Sequence, residues 1–206
     1  MLIQTLKEYN SLSKEITELV FSNNFDEKII ISNNVKKIIF GEYFDQKILI
    51  PNSVTHLIFG DNFNRKILIP NSVTHLTFGH DFDKKIVIPN SITHLTLGLN
   101  FNIKIEVPKN IISFIYPYKS NMIYKINIYN LVKLHICNNK LKNVSGLKNI
   151  HTLILYNCEN ITDVSALGNV HTLNLYNCEN ITDVSALGNV HILNLSWCKN
   201  ITNISE

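Results

Sequence analysis

Residues 50–68 read IPNSVTHLIFGDNFNRKIL, residues 69–87 read IPNSVTHLTFGHDFDKKIV, and residues 88–106 read IPNSITHLTLGLNFNIKIE, a step of 19 residues. Nearly identical tandem copies are the signature of an architecture in which each copy packs on the next. Stepping backwards by the same interval gives ISNNVKKIIFGEYFDQKIL from Ile31 and LSKEITELVFSNNFDEKII from Leu12, which agree at the apolar positions. Towards the C-terminus a second wording takes over, in which residues 170–188, VHTLNLYNCENITDVSALG, nearly duplicate residues 150–168 at a step of 20.

Both wordings keep one phase. Counted from the first apolar position, the copies begin at Ile16, Val35, Val54, Val73, Ile92, Ile111, Leu131, Ile150, Val170 and Val190, at intervals of 19 or 20. Apolar residues recur three and five places on, as in Val54, Leu57, Phe59 and in Val170, Leu173, Leu175, with Asn62 and Cys178 at the eighth place. This is the LxxLxLxxN/C skeleton of leucine-rich repeats. The Leu57-x-Phe59 alternation predicts a short strand with one inward face, and stacking predicts a parallel ladder. The expected fold is therefore β-rich: a single leucine-rich-repeat-like solenoid of about ten repeats with a parallel concave sheet. A short N-terminal helical cap carries Leu2, Leu6 and Tyr9.

One continuous solenoid is expected over residues 1–206, with the cap at 1–11, 19-residue repeats at 12–115, an irregular junction repeat at 116–130 and repeats of about 20 residues at 131–206. A second inward alternation at Ile48 and Ile50, Ile67 and Ile69, and Ile86 and Ile88 predicts a further strand on the opposite wall, ended by Pro51, Pro70, Pro89 and Pro108. Two phenylalanine columns should fill the interior: Phe21, Phe40, Phe59 and Phe78, then Phe25, Phe44, Phe63, Phe82 and Phe101. The junction holds Tyr116, Tyr118, Tyr124 and Tyr129.

Residues 12 to about 115 resemble FNIP repeats, known from amoebae and the giant viruses that infect them, and residues 131–206 resemble cysteine-containing leucine-rich repeats through CENITD at Cys158 and Cys178 and CKNITN at Cys198. FNIP repeats occur behind an F-box, where they look like substrate receptors of ubiquitin ligases. Here the repeat phase begins at residue 12, so the resemblance implies the receptor half without the F-box. A third reading is an inert, shortened product of recent duplication.

Composition narrows the classes. A net charge of +3 is too small to indicate nucleic-acid binding. Lys7 and Glu8 interrupt any signal-peptide core, and no apolar run approaches a membrane span. Cys137, Cys158, Cys178 and Cys198 form no CxxC pair, which fits a reducing compartment and a cytoplasmic location, the host cytoplasm if the protein is viral. P-loop, GxGxxG, HExxH, GxSxG and kinase signatures are absent, so no enzyme activity and no cofactor are expected. The expected role is a non-enzymatic scaffold binding another protein, with no nucleic-acid or membrane partner.

Positions two, four and six places after each repeat start should face outward from the sheet. The candidate partner-binding residues there are His56, His75, His94, Thr77, Thr96, Lys133, His135, Tyr156, Thr172, Asn174, Tyr176 and Asn194, alongside Gly60, Gly79 and Gly98. The histidine row invites a metal reading, but its ends would stand roughly 9.6 Å apart against zinc–nitrogen bonds of about 2.0 Å, which favours plain structural repetition. Charging one member disfavours charging the next, so binding across this face should depend on pH near 6. Cys158, Cys178 and Cys198 should form a buried reduced column, with Cys137 outward and accessible. Lys109, Lys119, Lys125, Lys133, Lys140, Lys142 and Lys148 make a local basic excess. An uncapped last strand around residues 191–196 exposes an edge for self-association.

Overall fold

Each repeat alternates for only three or four residues before the pattern breaks, most often at a glycine, serine or tyrosine, so each contributes one short strand. A computed structural model of the chain describes residues 2–101, 103, 105–116, 131–137 and 140–203. The chain forms two compact units, Met1–Ile111 and Ile112–Glu206. The first contains β1 (Leu2–Ile3), α1 (Leu6–Asn10), β2 (Glu18–Phe21), β3 (Lys37–Ile39), β4 (His56–Ile58), β5 (His75–Thr77) and β6 (His94–Thr96). The second contains β7 (Ser113–Tyr116), β8 (Lys133–Ile136), β9 (Thr152–Leu155), β10 (Thr172–Asn174) and β11 (Ile192–Asn194).

Within each unit neighbouring strands pair in parallel and in chain order. The register equals the repeat: His56 lies opposite His75, which lies opposite His94, and Thr152 opposite Thr172, which lies opposite Ile192. The fold is a β-rich, parallel-sheet solenoid of leucine-rich-repeat type. The junction repeat at 116–130, with Tyr118, Tyr124 and Tyr129, lies outside the described residues except for the backbone of Tyr116.

The phenylalanine columns form as the period requires. All nine rings are buried. Phe40 stacks on Phe59 at 5.1 Å and Phe59 on Phe78 at 5.4 Å, while within a coil Phe59 meets Phe63 at 3.9 Å and Phe78 meets Phe82 at 3.8 Å. Nearly parallel rings leave almost no room between coils, and the backbone follows. A Cβ on Gly79 would fall well inside van der Waals contact with the Gly60 carbonyl, and one on Gly60 would meet the Gly41 carbonyl in the same way. These glycines therefore serve close backbone approach and are poor candidates for a recognition surface; Gly98 is buried outright. A further file binds coil to coil: Asp45 accepts from the Asn64 amide at 2.9 Å, and Asn64 Oδ1 accepts from the Asp83 amide at 3.0 Å.

In the second unit the same volume is filled differently. Leu153, Leu155, Cys158, Ile161, Val164, Leu167 and Val170 are buried, and one-turn 3-10 helices at Ser145–Leu147, Ser165–Leu167 and Ser185–Leu187 replace the extended return. Asp163 and Asp183 accept from the amides of Ser165 and Ser185 at 2.9 and 2.8 Å, which sets the entry to two of these turns.

Four expectations need correction. The segments around Ile48–Ile50 and Ile67–Ile69 alternate in exposure but form no strand, because no neighbouring backbone pairs with them. Their prolines act as turn residues: the Pro51 and Pro70 carbonyls accept from the amides of Val54 and Val73 at 3.1 Å. Leu2 sits in β1, paired with β2, and the helix begins only at Leu6, where Thr5 and Glu8 form a reciprocal capping box. Tyr9 does lie on the first coil, 6.0 Å from Phe21, with its hydroxyl donating to the Ile30 carbonyl at 2.8 Å. The cysteine column is buried at Cys158 and Cys178 but only half-buried at Cys198, because the described residues place no coil over β11, where Leu193 is 38% exposed.

Gly79→Ala is expected to cost about 1–3 kcal/mol, since the methyl must displace backbone. Gly146→Ala, where a Cβ meets nothing within 4 Å, should change stability by less than about 0.5 kcal/mol. Urea melts of the two variants check this, and equal midpoints would remove the close-approach account.

Candidate functional site

The outward row of the first unit is held by a threonine relay. Thr74 Oγ1 donates to the Thr55 carbonyl at 3.2 Å and lies 2.9 Å from His75 Nδ1, and Thr55 and Thr93 repeat the arrangement beneath His56 and His94. A hydroxyl has one hydrogen. Its oxygen lies within reach of both the carbonyl and Nδ1, so each threonine holds its ring in place whichever imidazole nitrogen carries the proton. The three rings stack at 4.1 Å between successive centroids, tilted by 15° and 8°.

Lone pairs in parallel ring planes do not converge on one point. Among the described residues no group of three or more His, Cys, Asp or Glu is placed to hold a metal ion. Lys37 continues the row next to His56 and is paired with Glu18 at 2.6 Å. The His75 pKa is lowered from its ordinary value of 6.5 by burial first, then by His94 and His56. Thr77 and Thr96 stand half-buried at the third residue of β5 and β6.

In the second unit, Lys133 is exposed and His135 half-buried, its pKa lowered by burial and then by Lys133. Thr172 is half-buried, and Tyr156 stacks on Tyr176 at 4.7 Å with planes 1° apart. Asn174 and Asn194 are less available than the sequence suggests: each accepts from the amide two residues on, Tyr176 and Ser196, at 2.9 Å. Cys137 is half-buried, and burial, followed by Cys178, pushes its thiol up to about 11, so it is a poor nucleophile at neutral pH. Lys119 and Lys125 of the basic stretch lie outside the described residues.

Sequence reasoning missed two files. His151, His171 and His191 are exposed, with centroids 4.5 and 4.8 Å apart. Asn157 and Asn177 adopt φ of 54°, and Asn177 Nδ2 donates to Asn157 Oδ1 at 2.9 Å. The recurrence of Asn-Val-His at residues 169–171 and 189–191 was the available signal for the first. For the second it was asparagine's tolerance of the left-handed region.

Residues 27–62, 44–81 and 63–100 match the FNIP Repeat family. This stretch is similar to FNIP repeats. No curated protein matches the chain. Among solved structures, the chain is similar to the giant-virus protein CroV588, described as a novel circular LRR protein, at 27% identity and a TM-score of 0.54. The likeness covers 84% of this chain and 27% of that one, so the chain spans about a quarter of CroV588. The FNIP stretch thus contains β3–β6 and the histidine row, and the solenoid likeness extends well beyond it. No described helix is long and apolar enough to cross a membrane.

The depressed His75 pKa gives a sign. The folded state disfavours the imidazolium, so below about 6.5 the unfolded chain binds more protons and stability falls with pH. Thermal melts from pH 7.5 to 5 should show a falling midpoint, with a shallower fall in His75→Gln; an identical slope in both removes the stacked-row explanation. Iodoacetamide should alkylate Cys137 far more slowly at pH 8 than a free cysteine, and mass spectrometry of the labelled chain checks it.

Proposed function

We propose that the chain is a non-enzymatic protein-binding scaffold whose partner lies on the outward side of the sheet. The observation that carries this reading is the outward row itself. In-register strands turn one residue type into a file of like groups: imidazoles at His56, His75 and His94, and phenol rings at Tyr156 and Tyr176. Half-buried aromatic and polar groups on a rigid frame lose little entropy on binding. The file carries few charges, as the centres of protein interfaces do. His75, whose pKa is lowered by burial and then by its two neighbours, gains a charge only on acidification, so affinity should change there. FNIP repeats and the solenoid likeness to a leucine-rich-repeat protein support a binding role. Another protein is the proposed partner, in the cytoplasm, without nucleic acid or membrane.

The test is an affinity capture from amoebal lysate with the wild-type chain and with a His75→Glu, Tyr176→Glu variant, proteins being identified by mass spectrometry. Retention of a specific protein by the wild type and its loss from the variant is the expected result. Equal recovery by both overturns the assignment to this face.

A further inference from the structure

Away from the sheet, the FNIP coils expose a second regular surface. In the segment that returns from the phenylalanine columns to the proline turn, exposure alternates, so residues two apart share the outer side. One outer position is aliphatic in four successive coils: Ile30, Leu49, Leu68 and Val87 are 92%, 87%, 87% and 83% exposed. Two places earlier stands a lysine each time, Lys28, Lys47, Lys66 and Lys85, all exposed. None of the four lysines forms an ion pair or hydrogen bond with a described residue. One place earlier again the coils carry Glu27, Gln46, Arg65 and Lys84; Arg65 is paired with Asp45 at 2.8 Å, so Lys84 is the cation this position adds.

A single exposed leucine needs no explanation, but a file of them beside a file of unpaired cations does. Ile30, Leu49 and Leu68 border an open groove of about 830 Å³ formed by three successive coils. The segments are not strands, so their spacing serves no ladder. The repeat unit has kept an apolar residue where neither the core nor the sheet requires one.

We infer that this wall is a docking site for an acidic amphipathic helix of a partner protein. Charge complementarity sets the sign, because the lysine file is unanswered within the chain and runs parallel to the aliphatic file. The pitch sets the shape. At a coil spacing of about 4.8 Å, three intervals span about 14 Å. Helix anchors at i, i+4, i+7 and i+11 span about 16 Å. A helix with apolar anchors and carboxylates on the flank over the lysines matches both files at once. An anionic membrane fits less well, since the aliphatic side chains line a groove and the file contains no Trp or Tyr of the kind that seats at a lipid interface. A second copy of the chain would bring two lysine files into one contact.

The probe is a labelled peptide of about 18 residues with leucine at the anchor positions and glutamate on the adjoining flank. A charge-reversed control carries lysine for glutamate. Fluorescence anisotropy with the full chain should show saturable binding of the acidic peptide, weakened by added salt and weaker by roughly tenfold or more in Leu49→Asp, Leu68→Asp and in Lys47→Glu, Lys66→Glu. These side chains are exposed, so circular dichroism melts of the variants should match the wild type. Equal binding of both peptides, or binding untouched by either variant, overturns the inference. Loss only in His75→Glu, Tyr176→Glu moves the peptide to the sheet face and also overturns it. Sedimentation with phosphatidylserine vesicles, or a dimer abolished by Leu49→Asp, Leu68→Asp, without peptide binding replaces the helix by a membrane or a second copy.

Discussion

The structure depends on one constraint: each coil must begin a whole repeat after the one before it, with its strand paired in parallel at zero offset. When the ladder places Leu57 against Leu76 and Leu76 against Leu95, every other position of the coil is also set against its own copy. Like groups are thereby forced together, and the coil tolerates only residue types that stack well on themselves. Phenylalanine does so through near-parallel rings, asparagine and aspartate through side-chain-to-amide bonds, and threonine through its hydroxyl on the preceding carbonyl. Glycine permits backbones to approach where any side chain would collide.

The two units meet this constraint by different means. The FNIP coils use paired phenylalanines and leave the return segment extended, so that one of its three aliphatic residues faces solvent. The later coils use leucine and cysteine in the interior and tuck their return into a 3-10 turn whose last leucine is buried. An exposed aliphatic wall is therefore a property of the FNIP wording and has no counterpart in the turns at Ser165–Leu167 or Ser185–Leu187. The price of the later wording is a left-handed residue at Asn157 and Asn177, a place taken at Trp197 by a bulky side chain at φ of 65°.

Stacking also determines what kinds of surface the protein can offer. A file of identical groups cannot converge on one small reacting centre, which is why the histidines make a poor metal cage and a good stripe. Extended partners that repeat along the solenoid are the natural complement, whether they lie on the sheet or along the lysine and leucine files.

Much of this was legible in the chain alone. The period determined the coil length, the strand at each L-x-L or L-x-F position, the buried phenylalanines and the outward histidines, because burial follows from apolar identity repeated at one interval. What the chain could not reveal was which alternating segment would pair. Ile48–Ile50 alternates as well as Leu57–Phe59 does, yet only the latter has neighbours at hydrogen-bonding distance. Nor could it show that Gly79 answers to a carbonyl one coil away, that Asn174 is occupied by its own turn, or that each threonine hydroxyl comes to lie beside a histidine Nδ1. Those outcomes depend on distances between residues 19 or 20 apart in sequence, and such distances exist only once the coils are stacked.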